Sequence, residues 1–200
     1  TTAANNTFIG VNAGLINAGG DSNIGIGKDA YDNADAENHN LAIGRNAIGG
    51  AVNGGEGNIA IGNNSLDAVT SGDSNVAIGF DAGTDINTGA QNTLVGYGCG
   101  KNITTGIYNT FVGYEPGTNL TTGDYNVIVG ANSTNDGVDA QHQITIGYGL
   151  GSNGDNQFTF GKAGNRVHNT FTSNASWTRS SDERKKRNIQ VDNLGLDFVN

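Results

Sequence analysis

The chain has 200 residues and a formal net charge of −9; 33 residues are Gly, one is Pro and one is Cys. An interior glycine costs a helix roughly 1 kcal/mol relative to Ala, so this composition is a poor recipe for a helical domain. The single cysteine, Cys99, excludes an intrachain disulfide, and no apolar run approaches the length of a membrane span.

In chain order, one short motif recurs. NTFIG ends at Gly10, NIGIG at Gly27, NLAIG at Gly44, NIAIG at Gly62 and NVAIG at Gly79. NTLVG then ends at Gly96, NTFVG at Gly113, NVIVG at Gly130, QITIG at Gly147 and QFTFG at Gly161. The spacings are 17, 17, 18, 17, 17, 17, 17, 17 and 14 residues. Such a period is too short for helix pairs or propeller blades and suits one coil of a solenoid, each coil stacked on the last. The pattern predicts an all-β fold over residues 1–161: a parallel β-roll, or β-solenoid, of about ten coils, on the order of 45 Å long.

The residue before each closing Gly (Ile9, Ile26, Ile43, Ile61, Ile78, Val95, Val112, Val129, Ile146, Phe160) is apolar and nearly always β-branched. It is expected to line the coil interior. The residue ahead of it (Phe8, Gly25, Ala42, Ala60, Ala77, Leu94, Phe111, Ile128, Thr145, Thr159) is then expected to face outward, against other copies of the chain. The Asn that opens most units (Asn6, Asn23, Asn40, Asn58, Asn75, Asn92, Asn109, Asn126) suits a corner with positive φ and a stacked side-chain ladder. The closing glycines, among them Gly27, Gly44, Gly79, Gly96, Gly113 and Gly130, suit the opposite corner.

Residues with chemistry to offer are few. Carboxylates recur near one turn (Asp21, Glu56, Asp73, Asp124), which reads as turn solvation, with Ca²⁺ between coils as the alternative; no other metal or cofactor is expected. His39, His142 and His168 lack the spacing of metal ligands. Residues 1–161 carry 15 acids against 3 bases, a field that repels nucleic acid. Candidate ligand contacts are the turns 31–39 and 49–57 and the aromatics Tyr97, Tyr108, Tyr114 and Tyr125, because aromatic faces stack on sugars.

The repeated NVAIG-type unit, with a small residue three positions on (Ala13, Ala30, Ala47, Ser65, Ala82, Cys99), resembles the head repeats of trimeric autotransporter adhesins, the YadA-like heads. The resemblance implies a left-handed parallel β-roll, a homotrimer and an adhesive surface. Those heads have a period near 14, which only the last unit shows.

The acidic array ends in SSDERKKRNI. This resembles the signature that opens the intramolecular chaperone domain of phage tailspikes, endosialidases and long tail fibres; Ser181, Asp182, Arg184, Lys186, Asn188 and Ile189 match it, and Lys185 stands where an apolar residue is usual. The resemblance implies a trimerising module that assists folding and is cut off between Ser181 and Asp182. Ser181 would be the processing serine and Lys186 the lysine that activates it. The expected division is a repeat domain at 1–161, a neck at 162–181 and the stub of a chaperone domain at 182–200. With no Met and a start inside the pattern, the chain reads as a segment of something longer.

The expected function is therefore structural and receptor-binding: a trimeric phage tail fibre or tailspike segment on the virion, touching a host-surface glycan or protein. One alternative is a bacterial adhesin head at the cell surface. Another is a glycan-depolymerising tailspike with paired carboxylates. No conventional active site is legible, and neither nucleic-acid binding nor membrane insertion is expected.

Overall fold

The computed structural model describes residues 4–34, 36–171 and 178–180. It is all-β, with no helix among the described residues. The strands are β1 (Thr7–Ile9), β2 (Ile24–Ile26), β3 (Leu41–Ile43), β4 (Ile59–Ile61), β5 (Val76–Ile78) and β6 (Thr93–Val95). They continue with β7 (Thr110–Val112), β8 (Val127–Val129), β9 (Ile144–Tyr148), β10 (Gln157–Lys162), β11 (Asn165–Thr170) and β12 (Thr178–Ser180). All twelve form one sheet in sequence order. β1 to β10 are parallel and in register, each closing Gly stacking on the next, so ten strands enclose nine solenoid turns. β10, β11 and β12 then pair antiparallel and end the rod as a hairpin ladder.

Most strands are only three residues long because each is clipped at its C-terminal end by a glycine. Gly96, for example, has φ +134°, a conformation that L side chains rarely adopt, and a Cβ there would overlap the carbonyl of Gly113 in the next coil. The corner before the strand differs from expectation. Positive φ falls on the residue ahead of each opening Asn (Asn5, Ser22, His39, Gly57, Ser74, Gln91, Tyr108, Tyr125), and ahead of Gln143 and Gln157 (His142, Asn156), and not on the Asn itself. The Asn side chains instead turn inward and are fully buried from Asn58 to Asn126. Asn92 is typical: its Nδ2 donates to the Gly106 carbonyl at 2.8 Å, and its Oδ1 accepts the Asn109 N–H at 3.0 Å. The same links join Asn23, Asn40, Asn58, Asn75, Asn109 and Asn126, and Gln143 N–H ends the ladder on Asn126 Oδ1. Buried amides are costly unless satisfied, and stacking satisfies them.

The facing of the strand residues is the reverse of the sequence expectation. The middle residue of each strand (Ala42, Ala60, Ala77, Leu94, Phe111, Ile128) is fully buried inside the coil. The residue before Gly, expected inside, is outside: Ile9, Ile78, Val112, Val129, Ile146 and Phe160 are exposed. The physical reason is room. A coil this narrow must also hold the residue three after Gly, the residue four after it, one further apolar side chain and the Asn. A second β-branched strand residue does not fit.

The interior is filled by a trade between strand and turn. Where the strand offers Gly25, Ala42 or Ala60, the position six residues later carries Tyr31, Ile48 or Leu66, all fully buried. Where the strand offers Phe8, Leu94 or Phe111, that position is Gly14, Gly100 or Gly117. A Cβ on Gly117 would overlap the Phe111 ring, and one on Gly100 would sit 2.8 Å from Leu94. In the coils of β1 to β7 the turn position has left-handed φ: 52° at Tyr31, 47° at Ile48 and 50° at Leu66. That conformation costs a non-glycine residue roughly 1–2 kcal/mol, less than the burial of these side chains returns.

Candidate functional surface

The inverted facing creates the largest surface feature of the molecule. The first and third residues of nearly every strand point out and are almost all aliphatic: Ile24 and Ile26, Leu41 and Ile43, Ile59 and Ile61, Val76 and Ile78, Val127 and Val129. Two columns of half-exposed aliphatic side chains therefore run the length of the rod. Only Thr7, Thr93 and Thr110 interrupt them over β1 to β9. At the C-terminal end Ile146, Phe158, Phe160 and Val167 continue the strip as an open apolar groove. The face is on the order of 43 Å long at about 4.8 Å per coil, and about 15 Å wide from corner to corner. Monomeric proteins rarely leave a contiguous apolar patch much beyond a few hundred Å².

The four candidate tyrosines are all exposed and lie along the two margins of this face. Tyr97 and Tyr114 directly follow closing glycines and stack at 5.1 Å, with Phe80 on Tyr97 at 5.4 Å. Tyr108 and Tyr125 precede opening Asn residues and stack at 5.0 Å, with His142 on Tyr125 at 5.0 Å. Interplanar angles are 7° to 11°, so the rings form two ladders parallel to the rod. Tyr97 and Tyr125 have a ring on each side, so their faces are closed and only edges and hydroxyls reach solvent. The sequence reading named the tyrosines but missed Phe80 and His142, although both continue the 17-residue spacing.

The variable turns are less open than their composition implies. In 31–39, Tyr31 and Glu37 are buried; the Tyr31 hydroxyl accepts from Asn40 Nδ2 at 3.1 Å, and burial pushes its pKa to about 12. In 49–57, Val52 is core, while Ala51, Asn53, Gly54 and Glu56 face solvent.

The recurring carboxylates cap the turn of the preceding coil. Asp21 Oδ1 accepts Ala4 N–H at 2.6 Å, Asp73 Oδ1 accepts Glu56 N–H at 2.8 Å, and Asp124 Oδ1 accepts Ile107 N–H at 2.8 Å. Among the described residues no three His, Cys, Asp or Glu side chains converge as a metal would require. Asp67 lies 35 residues after Asp32, two coils on; burial first, and repulsion from Asp32 second, raise its carboxyl above the usual range. Cys99 fills an interior small-residue position, and burial pushes its thiol up to about 12. His39 and His142 lie on one margin of the outer face, and His168 is in β11.

Ser181, Asp182 and Lys186, the expected processing residues, lie outside the described residues, as does the expected chaperone stub at 182–200. No helix among the described residues is long and apolar enough to cross a membrane. Comparison with known protein families, with characterised proteins and with solved structures finds no match to this chain.

Proposed function

We propose that the chain is a structural and receptor-binding segment of a trimeric phage tail fibre or tailspike. Three copies pack side by side through their outer sheet faces, and the outward turns meet a host-surface glycan or protein. The observation that carries this reading is the aliphatic face on the outside of the solenoid. Its flat extent, on the order of 650 Å² from corner to corner, is at the upper end of the largest patch a typical monomer exposes, about 300–600 Å². An elongated rod suits reach and attachment. The exposed part of 49–57 lies in the one 18-residue coil and is the first place to seek a receptor contact.

The resemblance of SSDERKKRNI supplies the assembly step: a C-terminal chaperone brings three chains into register and is released at Ser181–Asp182, Ser181 being the nucleophile and Lys186 its base. Light scattering on the full chain tests the association. Three times the 20.5 kDa chain mass is expected, and a monomer overturns the reading. Labelled protein is expected to bind intact host cells, and a variant with 51–56 replaced by a Gly-Ser turn is expected to lose that binding while staying trimeric. Mass spectrometry of the complete gene product tests the processing: Ser181→Ala abolishes release of the C-terminal piece and leaves the oligomer intact.

A further inference from the structure

We infer that the two aromatic ladders are the two halves of a seam between neighbouring copies: the Tyr108–Tyr125–His142 margin of one chain seats against the Phe80–Tyr97–Tyr114 margin of the next, in parallel and without stagger. This rests on the proposed association through the outer face and says which atoms close it.

The margins border the same face at opposite ends of each strand. Tyr108 lies two residues before β7 and Tyr114 two residues after it. Within one chain the strand and both corners separate them by on the order of 15 Å, so the ladders do not touch each other. If copies pack around an axis parallel to the rod, the leading margin of one must meet the trailing margin of its neighbour, a head-to-tail contact that closes a ring.

In three coils the two margins then complement each other in size. In the β5 coil Ser74 stands opposite Phe80, in the β6 coil Gln91 opposite Tyr97, and in the β8 coil Tyr125 opposite Ala131. Two coils set aromatic against aromatic, Tyr108 against Tyr114 in the β7 coil, where the two ladders overlap, and His142 against Tyr148 in the β9 coil. A rotation about an axis parallel to the rod carries each coil onto the same level of its neighbour, so a ring that closes has no stagger. Nearer the N-terminus the margins turn polar, with Ser22 opposite Lys28 and His39 opposite Arg45, so the apolar seam is confined to the C-terminal half. Stacking within each ladder fixes the rings beforehand, so their edges and hydroxyls pack with little further loss of side-chain freedom.

Cysteine pairing reads this contact. In a Cys99→Ala background, Tyr108→Cys combined with Tyr114→Cys is expected to oxidise to closed covalent rings on a non-reducing gel, because a disulfide needs Cα atoms within about 7 Å. Either substitution alone is expected to leave single chains. Cross-linked dimers from Tyr108→Cys alone overturn the inference, since like would then meet like. Trimer mass by light scattering with no link in the double variant overturns the seam and leaves the association standing; a monomer overturns both. The unmodified chain supplies a second reading: photo-oxidation is expected to tie chains together through dityrosine, and Tyr108→Phe with Tyr125→Phe is expected to abolish it. Unchanged cross-linking in that variant overturns the seam.

Discussion

The coils of β2 to β4 and the coils of β6 and β7 share one backbone and fill it in opposite ways. In the first group the strand contributes Gly25, Ala42 and Ala60, and the turn contributes Tyr31, Ile48 and Leu66. In the second the strand contributes Leu94 and Phe111, and the turn retreats to Gly100 and Gly117. The two groups reach similar filling with different residues at both positions, and the β5 coil between them, with Ala77 and Gly83, is filled by Leu66, Ile86 and Leu94 around Gly83. The outer face shows no such exchange: it stays aliphatic through both groups, with Thr93 and Thr110 the only polar members among these coils. An interior can compensate within one chain, whereas an outward face has no neighbour in its own coil to trade with.

The comparison breaks most completely at the corner both groups share. Gly96→Ala puts a Cβ into the Gly113 carbonyl at φ +134°, and no rotamer escapes a backbone overlap. A loss on the order of 4 kcal/mol or more is expected, seen as failure to give a cooperative melt by circular dichroism. The volume trade is tested next. Leu66→Gly alone is expected to cost about 3–5 kcal/mol, and Ala60→Phe alone about 1–3 kcal/mol, by denaturant unfolding. The double variant copies the Phe111–Gly117 pairing and is expected to recover at least half of the summed loss, a coupling that independent sites do not show.

Asn92→Leu interrupts the buried amide ladder, leaving the Asn109 N–H and the Gly106 carbonyl without their partner. About 2–3 kcal/mol is expected, with amide exchange faster on both flanking coils. The smallest effect is confined to pH. Tyr31 is raised from 10.0 to about 12 by burial, so the neutral phenol is the form the coil accepts. Stability from this group is complete below pH 10 and falls as pH rises from about 10 to 12. Unfolding curves across that window are expected to decline less in Tyr31→Phe.

Much of the fold was legible because a 17-residue period leaves few architectures, and because Gly10 to Gly161 mark one corner of every coil. The Asn ladder was legible as stacking, though its dihedral role was not: the residue before Asn takes the positive φ and frees the amide to turn inward. The ladder partners Phe80 and His142 were missed because an isolated Phe or His carries no signal until the period is laid over it. The burial of Tyr31, inside a turn that reads as polar, followed from the small residue at Gly25, a dependence between positions six apart.

By itself the sequence determined the period, the glycine corners, the parallel in-register stack and the all-β class, since these follow from repetition and from conformations open to few residue types. Only the tertiary structure decided which strand residues face inward. Alternation specifies two faces but not which of them encloses the core, and here both faces read as apolar. The choice belongs to the coil's cross-section, which admits one strand side chain and its turn partner and turns the β-branched pair outward.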